Sequence, residues 1–261
     1  MTDGSSRNDT VRQADKPETV LLEGSPIHRV LDRARWAPSG DNTQPWRFEL
    51  LGPDRARVHG FDTRDFCVYD LDGWASRLSI GAMLETLRIA ASELGLRADI
   101  ERDRSAPEAH PLFDVRLVPD ESIVRDELLP FIESRRVQRR ALSRRALTRA
   151  EKQALSEAIG PDYSLTVFEG EDRWTLAKLM FDSAHIRLTT EEGWKVHSQI
   201  IEWDVLESED KMPAAAVGLS PPSLLAMRMV IGSWPLTRFF SVYLGGTLVP
   251  RVELDLIPGL R

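Results

Sequence analysis

Hydrophobic residues recur at helical spacing in some stretches of this chain and alternate in others, and the switches between the two periods mark out its elements. Ser25-Pro26 predicts a capping residue followed by proline at the first helical position, after which Ile27, Val30, Leu31 and Ala34 share one face. Trp46–Leu51 and Arg55–Phe61 flank Gly52-Pro53-Asp54 and predict a β-hairpin. Ala75–Leu94 predicts a long helix with Met83, Leu87, Ala90 and Leu94 as its buried stripe, ended by Gly95 in the left-handed conformation with Leu96 beyond it. Ala98–Glu101 and Phe113–Val118 predict strands, and Ile123–Ile132 a helix. Further on, Thr148-Arg149-Ala150-Glu151 is a capping box opening a helix to about Ile159, stopped by Gly160-Pro161. Leu165–Phe168 predicts a short strand, and from Asp172 the chain is mostly helical, interrupted by Gly218–Pro222 before two more apolar helices. Helices in excess, with few strands among them, predict the α+β class.

Composition narrows the classes of function. The chain has 261 residues, 42% of them hydrophobic, long enough for a substantial core. Its formal charge of −7 argues against a general nucleic-acid binder, which carries a basic excess. Cys67 is the single cysteine, so neither an intramolecular disulfide nor a cysteine-based zinc cluster can form, and a cytoplasmic setting is expected. Apolar runs stay short of 18 residues and Arg228 interrupts Leu224–Ile231, so no membrane span is expected. The first twenty residues are polar, lack the apolar core of a signal peptide and read as a disordered tail. The five histidines do not fall at ligand spacing, and no metal site is expected; His197, beside Ile200 and Ile201, reads first as packing. Tyr69, Trp46 and Cys67 likewise read first as packing residues.

Two stretches carry candidate chemistry. Trp36–Phe48 reads Trp-Ala-Pro-Ser-Gly-Asp-Asn-Thr-Gln-Pro-Trp-Arg-Phe, in which the two prolines disfavour helical geometry at Ala37 and Gln44. The result is a rigid loop offering backbone N–H groups with Ser39, Asn42 and Gln44, which suits a flat heterocycle rich in donors and acceptors. The second stretch places seven arginines among the fifteen residues 135–149, beginning Arg135-Arg136-Val137-Gln138-Arg139-Arg140. Two readings of it stand: a solvated run paired with carboxylates such as Glu127, Glu133 or Glu151, and a phosphate clamp using the guanidinium fork.

Together the loop and the arginines resemble two motifs of the nitroreductase-like FMN flavoproteins: Ala-Pro-Ser-x-x-Asn-x-Gln-Pro-Trp, and Arg-Arg-Ser-x-Arg with Val137 in the serine position. Gly81–Leu96 is similar to that family's central helix. In ordinary members the arginines precede the loop, whereas here they follow it by about ninety residues. The resemblance therefore implies two degenerate copies in tandem, each keeping the motif the other lost: a tail at 1–20, a first half at 21–130 and a second half at 131–261 with a helical extension or lid. A mixed central sheet flanked by helices is implied for the fold. Such tandem relatives run on into a second central helix, so a shortened second copy is expected here.

The same resemblance implies FMN as cofactor at an internal pseudo-dimer interface, with Arg135, Arg136 and Arg139 on the phosphate and Pro38, Ser39, Asn42 and Gln44 on the ring. It also implies ping-pong hydride transfer from NAD(P)H to a nitroaromatic, quinone or similar acceptor, with no acid–base side chain required, and allows a homo-oligomer. A flavin-sequestering protein without turnover, with Trp194–Leu219 as its lid, is the first alternative. A scaffold without cofactor is the second.

Overall fold

The computed structural model describes residues 23–137, 139, 143 and 145–257. The expected tail at 1–20, together with Gln138, Arg140, Arg144 and the last four residues, lies outside that set. The chain is α+β and divides into two compact units. One holds the described residues up to Ser39, with Gln44–Asp62 and Ala75–Ser134; the other holds Gly40–Thr43, Thr63–Trp74 and the described residues from Arg135 on.

The first unit is a small sheet with helices. Helix α1 (Pro26–Ala34) starts where Ser25 caps it, its hydroxyl accepting from the His28 N–H, and it buries Ile27, Val30, Leu31 and Ala34. Strands β1 (Trp46–Gly52) and β2 (Arg55–Gly60) form the hairpin. Helix α2 (Trp74–Ser92) buries Met83, Leu87 and Ala90, and Gly95 ends its connection with φ 64°. Strands β3 (Leu96–Asp103) and β4 (Leu112–Pro119) complete a sheet of order β1-β2-β4-β3. Every neighbouring pair in it is antiparallel, not mixed as the family resemblance implied. The turns joining β1 to β2 and β3 to β4 are too short for the crossover that parallel neighbours need.

Ile27, Val58, Met83, Leu87 and Val115 are fully buried at the centre of this unit. Each side chain so removed from water contributes about 1.5–3 kcal/mol. Trp46 is core as well, at 2% exposure. Gly60 shows how tightly the sheet meets its neighbours, since a Cβ there would sit 2.8 Å from Ile80 Cδ1, 2.9 Å from Pro111 Cγ and 3.1 Å from the Pro111 carbonyl oxygen. Gly60→Ala is expected to destabilise by about 1–3 kcal/mol in chemical denaturation, because one of those neighbours is backbone.

Two sequence expectations change here. Ile123–Ile132 is not a helix; only a 3₁₀ turn at Leu129–Phe131 forms. Asp120 and Asp126 accept from the Ser122 and Leu128 N–H groups, and the Asp126 N–H donates to Ser92 Oγ, so local side-chain bonds replace the helical ladder. Leu165–Phe168 forms no strand ladder, and both end residues stay exposed at 39% and 46%.

The second unit is helical. Thr148 and Glu151 form the full capping box of α3 (Arg149–Ala158). Helices α4 (Glu171–Thr189) and α5 (Glu191–Ile200) follow, then a two-residue parallel bridge of β5 (Ile201–Glu202) with β6 (Met212–Pro213). Helices α6 (Pro221–Val230), α7 (Trp234–Tyr243) and α8 (Leu248–Arg251) lead into a π-turn at Val252–Leu256. Cys67, Val196, Ile200, Met212, Val217 and Ile231 belong to its core. Among the described residues no helix is long and apolar enough to cross a membrane.

Candidate small-molecule site

The loop of interest is held in a strained form. Asp41, Asn42 and Gln44 have φ of 49°, 59° and 44°. Left-handed geometry costs a non-glycine residue about 1 kcal/mol or more, least for Asn and Asp, and persists only where the surroundings impose it. At the first unit's end, the Gln44 N–H donates to Ser39 Oγ at 3.1 Å and the Trp46 N–H to the Gln44 carbonyl at 2.7 Å. Gln44 escapes α geometry before Pro45 as its position requires, by turning left-handed. At the tip, the Gly40 carbonyl accepts from the Thr43 N–H and hydroxyl. Asn42 Nδ2 donates to the Ser208 and Lys211 carbonyls at 3.0 and 2.9 Å. The Asn42 amide nitrogen is thus engaged in tying the loop to the Ser208–Lys211 segment.

Pro38, Ser39 and Gln44 belong to the first unit, whereas Asn42 belongs to the second along with Arg135, Arg136 and Arg139. Arg135 and Arg136 are exposed, and Arg136 Nη2 lies 3.7 Å from Glu207. Arg139 is half-buried, with Nη1 donating to the Ala216 carbonyl at 3.1 Å and lying 2.7 Å from Met212 Sδ. Both partners are neutral, so the guanidinium charge is not consumed by them. The solvated reading holds for Arg145, which forks onto Glu151 at 2.7 and 2.8 Å and helps pull that carboxyl down to about 2.

A cavity of about 900 Å³ lies within the second unit, and Asp41 and Arg139 are both on its wall. It falls in the size range of small-molecule pockets. Met180, Trp194, Met212 and Met227 supply apolar wall; Arg187, His197, Glu253 and Asp255 supply polar groups. Burial raises the Asp41 carboxyl, opposed by the Arg139 and Arg187 charges. Burial also raises Asp255, opposed by Arg187 and Arg251. His197 falls to about 4, through burial first and the Arg187 charge second. Tyr69, raised to about 12 by burial, brings its hydroxyl within 3.4 Å of His197 Nε2, which in the neutral ring can accept its proton. Glu253 is fully engaged at the start of α6, accepting from the Ser220 N–H and from the Ser220 and Ser223 hydroxyls.

Arg187 and Asp255 differ from it. Arg187 Nη2 and Asp255 Oδ1 are 3.8 Å apart, while Arg187 Nε and Asp255 Oδ2 are buried without a hydrogen-bond partner. Sequence reasoning passed over both residues, because one lies in an ordinary amphipathic helix and the other near the chain end, with no motif linking them. His197, read as packing, does pack its ring against Tyr69 and also lies on the cavity wall. No protein-family model and no curated protein matches this chain.

Proposed function

We propose that the chain binds FMN in its second unit and acts as an FMN-dependent oxidoreductase of nitroreductase type, using NAD(P)H to reduce a nitroaromatic, quinone or similar acceptor. One observation carries the reading: the tip of the Pro38–Gln44 loop and the arginine segment, about ninety residues apart in sequence, belong to one compact unit and reach one cavity through Asp41 and Arg139. The motif order further supports two degenerate nitroreductase-like copies in tandem. A cytoplasmic setting fits the single buried Cys67.

The residues present fit the cofactor. Arg135, Arg136 and Arg139 supply guanidinium forks for a phosphate dianion, and Arg139 brings one to the cavity wall, its hydrogen-bond partners neutral and the Asp41 carboxyl within reach of its charge. Apolar side chains such as Met180 and Trp194 suit a flat ring. Within the second unit the loop tip Gly40–Thr43 would orient it, its backbone fixed in one presentation by left-handed Asp41 and Asn42. FMN, when bound, supplies a carrier that accepts and donates hydride. The chain supplies grip, orientation and exclusion of water.

One observation favours the alternative of flavin storage without turnover. Part of Trp194–Leu219 lines the cavity, and Ser208 and Lys211 in it clasp Asn42. A segment so fastened would keep nicotinamide from the ring. Protein saturated with FMN and mixed anaerobically with NAD(P)H separates the readings: bleaching of the visible flavin band is expected for the reductase. Persistent yellow colour would turn the account to storage, and protein that takes up no FMN would defeat both.

A further inference from the structure

We propose that the second-unit cavity binds a neutral amphiphile, with the polar head inside and an alkyl chain leaving across an apolar rim. The inference goes beyond the flavin reading and does not rest on it, since the rim belongs to neither the loop nor the arginine segment. Four residues of the cavity wall are exposed to solvent and so mark where it opens: Pro222, Leu244, Gly245 and Val249. None carries a polar side chain. Leu244 and Val249 are 62% and 51% exposed while also lining the cavity. The turn that bears them is seated in place. The Gly246 N–H donates to the Phe240 carbonyl at 3.0 Å, a Cβ on Gly246 would collide with the Phe240 ring, and Phe240 is itself wall.

The elements that carry the rim are apolar on their exposed surface as well. Leu225 and Met229 on α6, Phe239 and Tyr243 on α7 and Leu248 on α8 are all exposed. Arg228 and Arg238 are the only charged residues of α6 and α7, and no Asp or Glu occurs from Met212 to Val252. Exposed apolar clusters of this kind mark ligand grooves and interaction sites. Inside, the order reverses: Asp41, Arg139, Arg187 and His197 are half-buried wall residues. A head of either charge meets repulsion there, from Arg139 and Arg187 or from Asp41, Glu253 and Asp255, whereas a neutral head meets donors and acceptors alike. At the rim a polar group finds no side-chain partner. An alkyl chain laid there leaves water, at a gain of about fourfold in affinity per buried methylene.

The test is calorimetric titration of the protein as purified with 1-monohexanoyl, 1-monooctanoyl and 1-monodecanoyl glycerol. These share one neutral head and differ in chain length, and each is kept below its micelle concentration. Wild type is expected to gain about tenfold in affinity for each two methylenes added. Leu244→Asn combined with Val249→Asn is expected to cut the gain between the octanoyl and decanoyl esters to about twofold or less, and to leave hexanoyl affinity as in wild type. Leu206→Asn, at an exposed leucine off the cavity wall, is expected to keep the whole series, which separates the rim from apolar surface at large. All three substituted residues are exposed, so the variants are expected to fold, as thermal unfolding checks; the wild-type series stands by itself if one does not. Equal affinities along the series in wild type, a gain that survives the rim substitutions, an equal loss for all three esters, or no binding of the decanoyl ester would overturn the site. Protein that takes up no flavin is still expected to show the series. Protein that reduces acceptors and shows no series keeps the reductase reading and loses this one.

Discussion

Gly193→Ala is expected to destabilise the protein by about 3 kcal/mol or more, near the upper end of what added bulk does in a close-packed site. Gly193 lies in the first turn of α5, where its N–H donates to the Thr190 capping hydroxyl at 3.4 Å. A Cβ there would collide with the Arg187 carbonyl oxygen of α4, and would sit 2.8 Å from Tyr69 Oη and 3.1 Å from Thr190 Oγ1. The Tyr69 hydroxyl is the far end of a side chain and can move, although it would leave His197. The Arg187 carbonyl is backbone and cannot move without shifting the end of α4. Alanine's better helix propensity returns only about 1 kcal/mol. The midpoint of thermal unfolding should fall by several degrees. Gly81→Ala is the matched control. It lies within α2 with nothing inside 4 Å of the added Cβ, so the propensity gain should appear alone, as stabilisation of about 0.5–1 kcal/mol. Equal effects at the two sites would mean that α4 and α5 are not in the contact described.

The second large effect is with pH. His197 in the folded protein has its pKa lowered to about 4 from the ordinary 6.5, because burial and the Arg187 charge both disfavour the imidazolium. Above pH 6.5 the ring is neutral in folded and unfolded chains alike, and nothing is lost. As pH falls from 6.5 toward 4 the unfolded chain takes up a proton that the folded site refuses, so stability declines; below about 4 the loss levels off. The upper bound is about 3 kcal/mol, since one pKa unit is worth about 1.4 kcal/mol. Asp41 and Asp255 act in the opposite sense, because burial raises their pKa values and acidification relieves the penalty of their charge. Comparison with His197→Gln, which keeps a polar side chain but does not titrate, cancels those shared contributions. The stability difference, wild type minus variant, should become less favourable to wild type between pH 7 and 4. A flat difference would place His197 in water rather than against Tyr69 and the cavity wall.

Elements set by local chemistry were legible in the sequence. Ser25-Pro26 began α1, Thr148 and Glu151 began α3, and the Met83–Leu87–Ala90 stripe faced the core, because capping and periodicity act within a few residues. Ile123–Ile132 misled because Asp120 and Asp126 offer the backbone competing partners that apolar spacing does not reveal. Leu165–Phe168 misled because a strand needs an edge to join, which no local pattern supplies. The same division runs through the candidate site. The loop and the arginine segment stood out by residue type and spacing, and the cavity wall takes Asp41 from the one and Arg139 from the other. Arg187, Asp255 and Gly193 did not, since their significance lies in which distant atoms meet, and in which buried atoms go unmet.

In the function proposed, Arg139 of the basic segment grips the phosphate of an FMN molecule in the second unit. Fluorescence titration of FMN into wild-type and Arg139→Ala protein tests it most directly. Wild type should bind, and the variant should bind more weakly by about 1.5–3 kcal/mol, roughly tenfold to a hundredfold or more in Kd, as loss of a charge-assisted fork entails. Indistinguishable affinities, or no FMN binding by wild type, would contradict it.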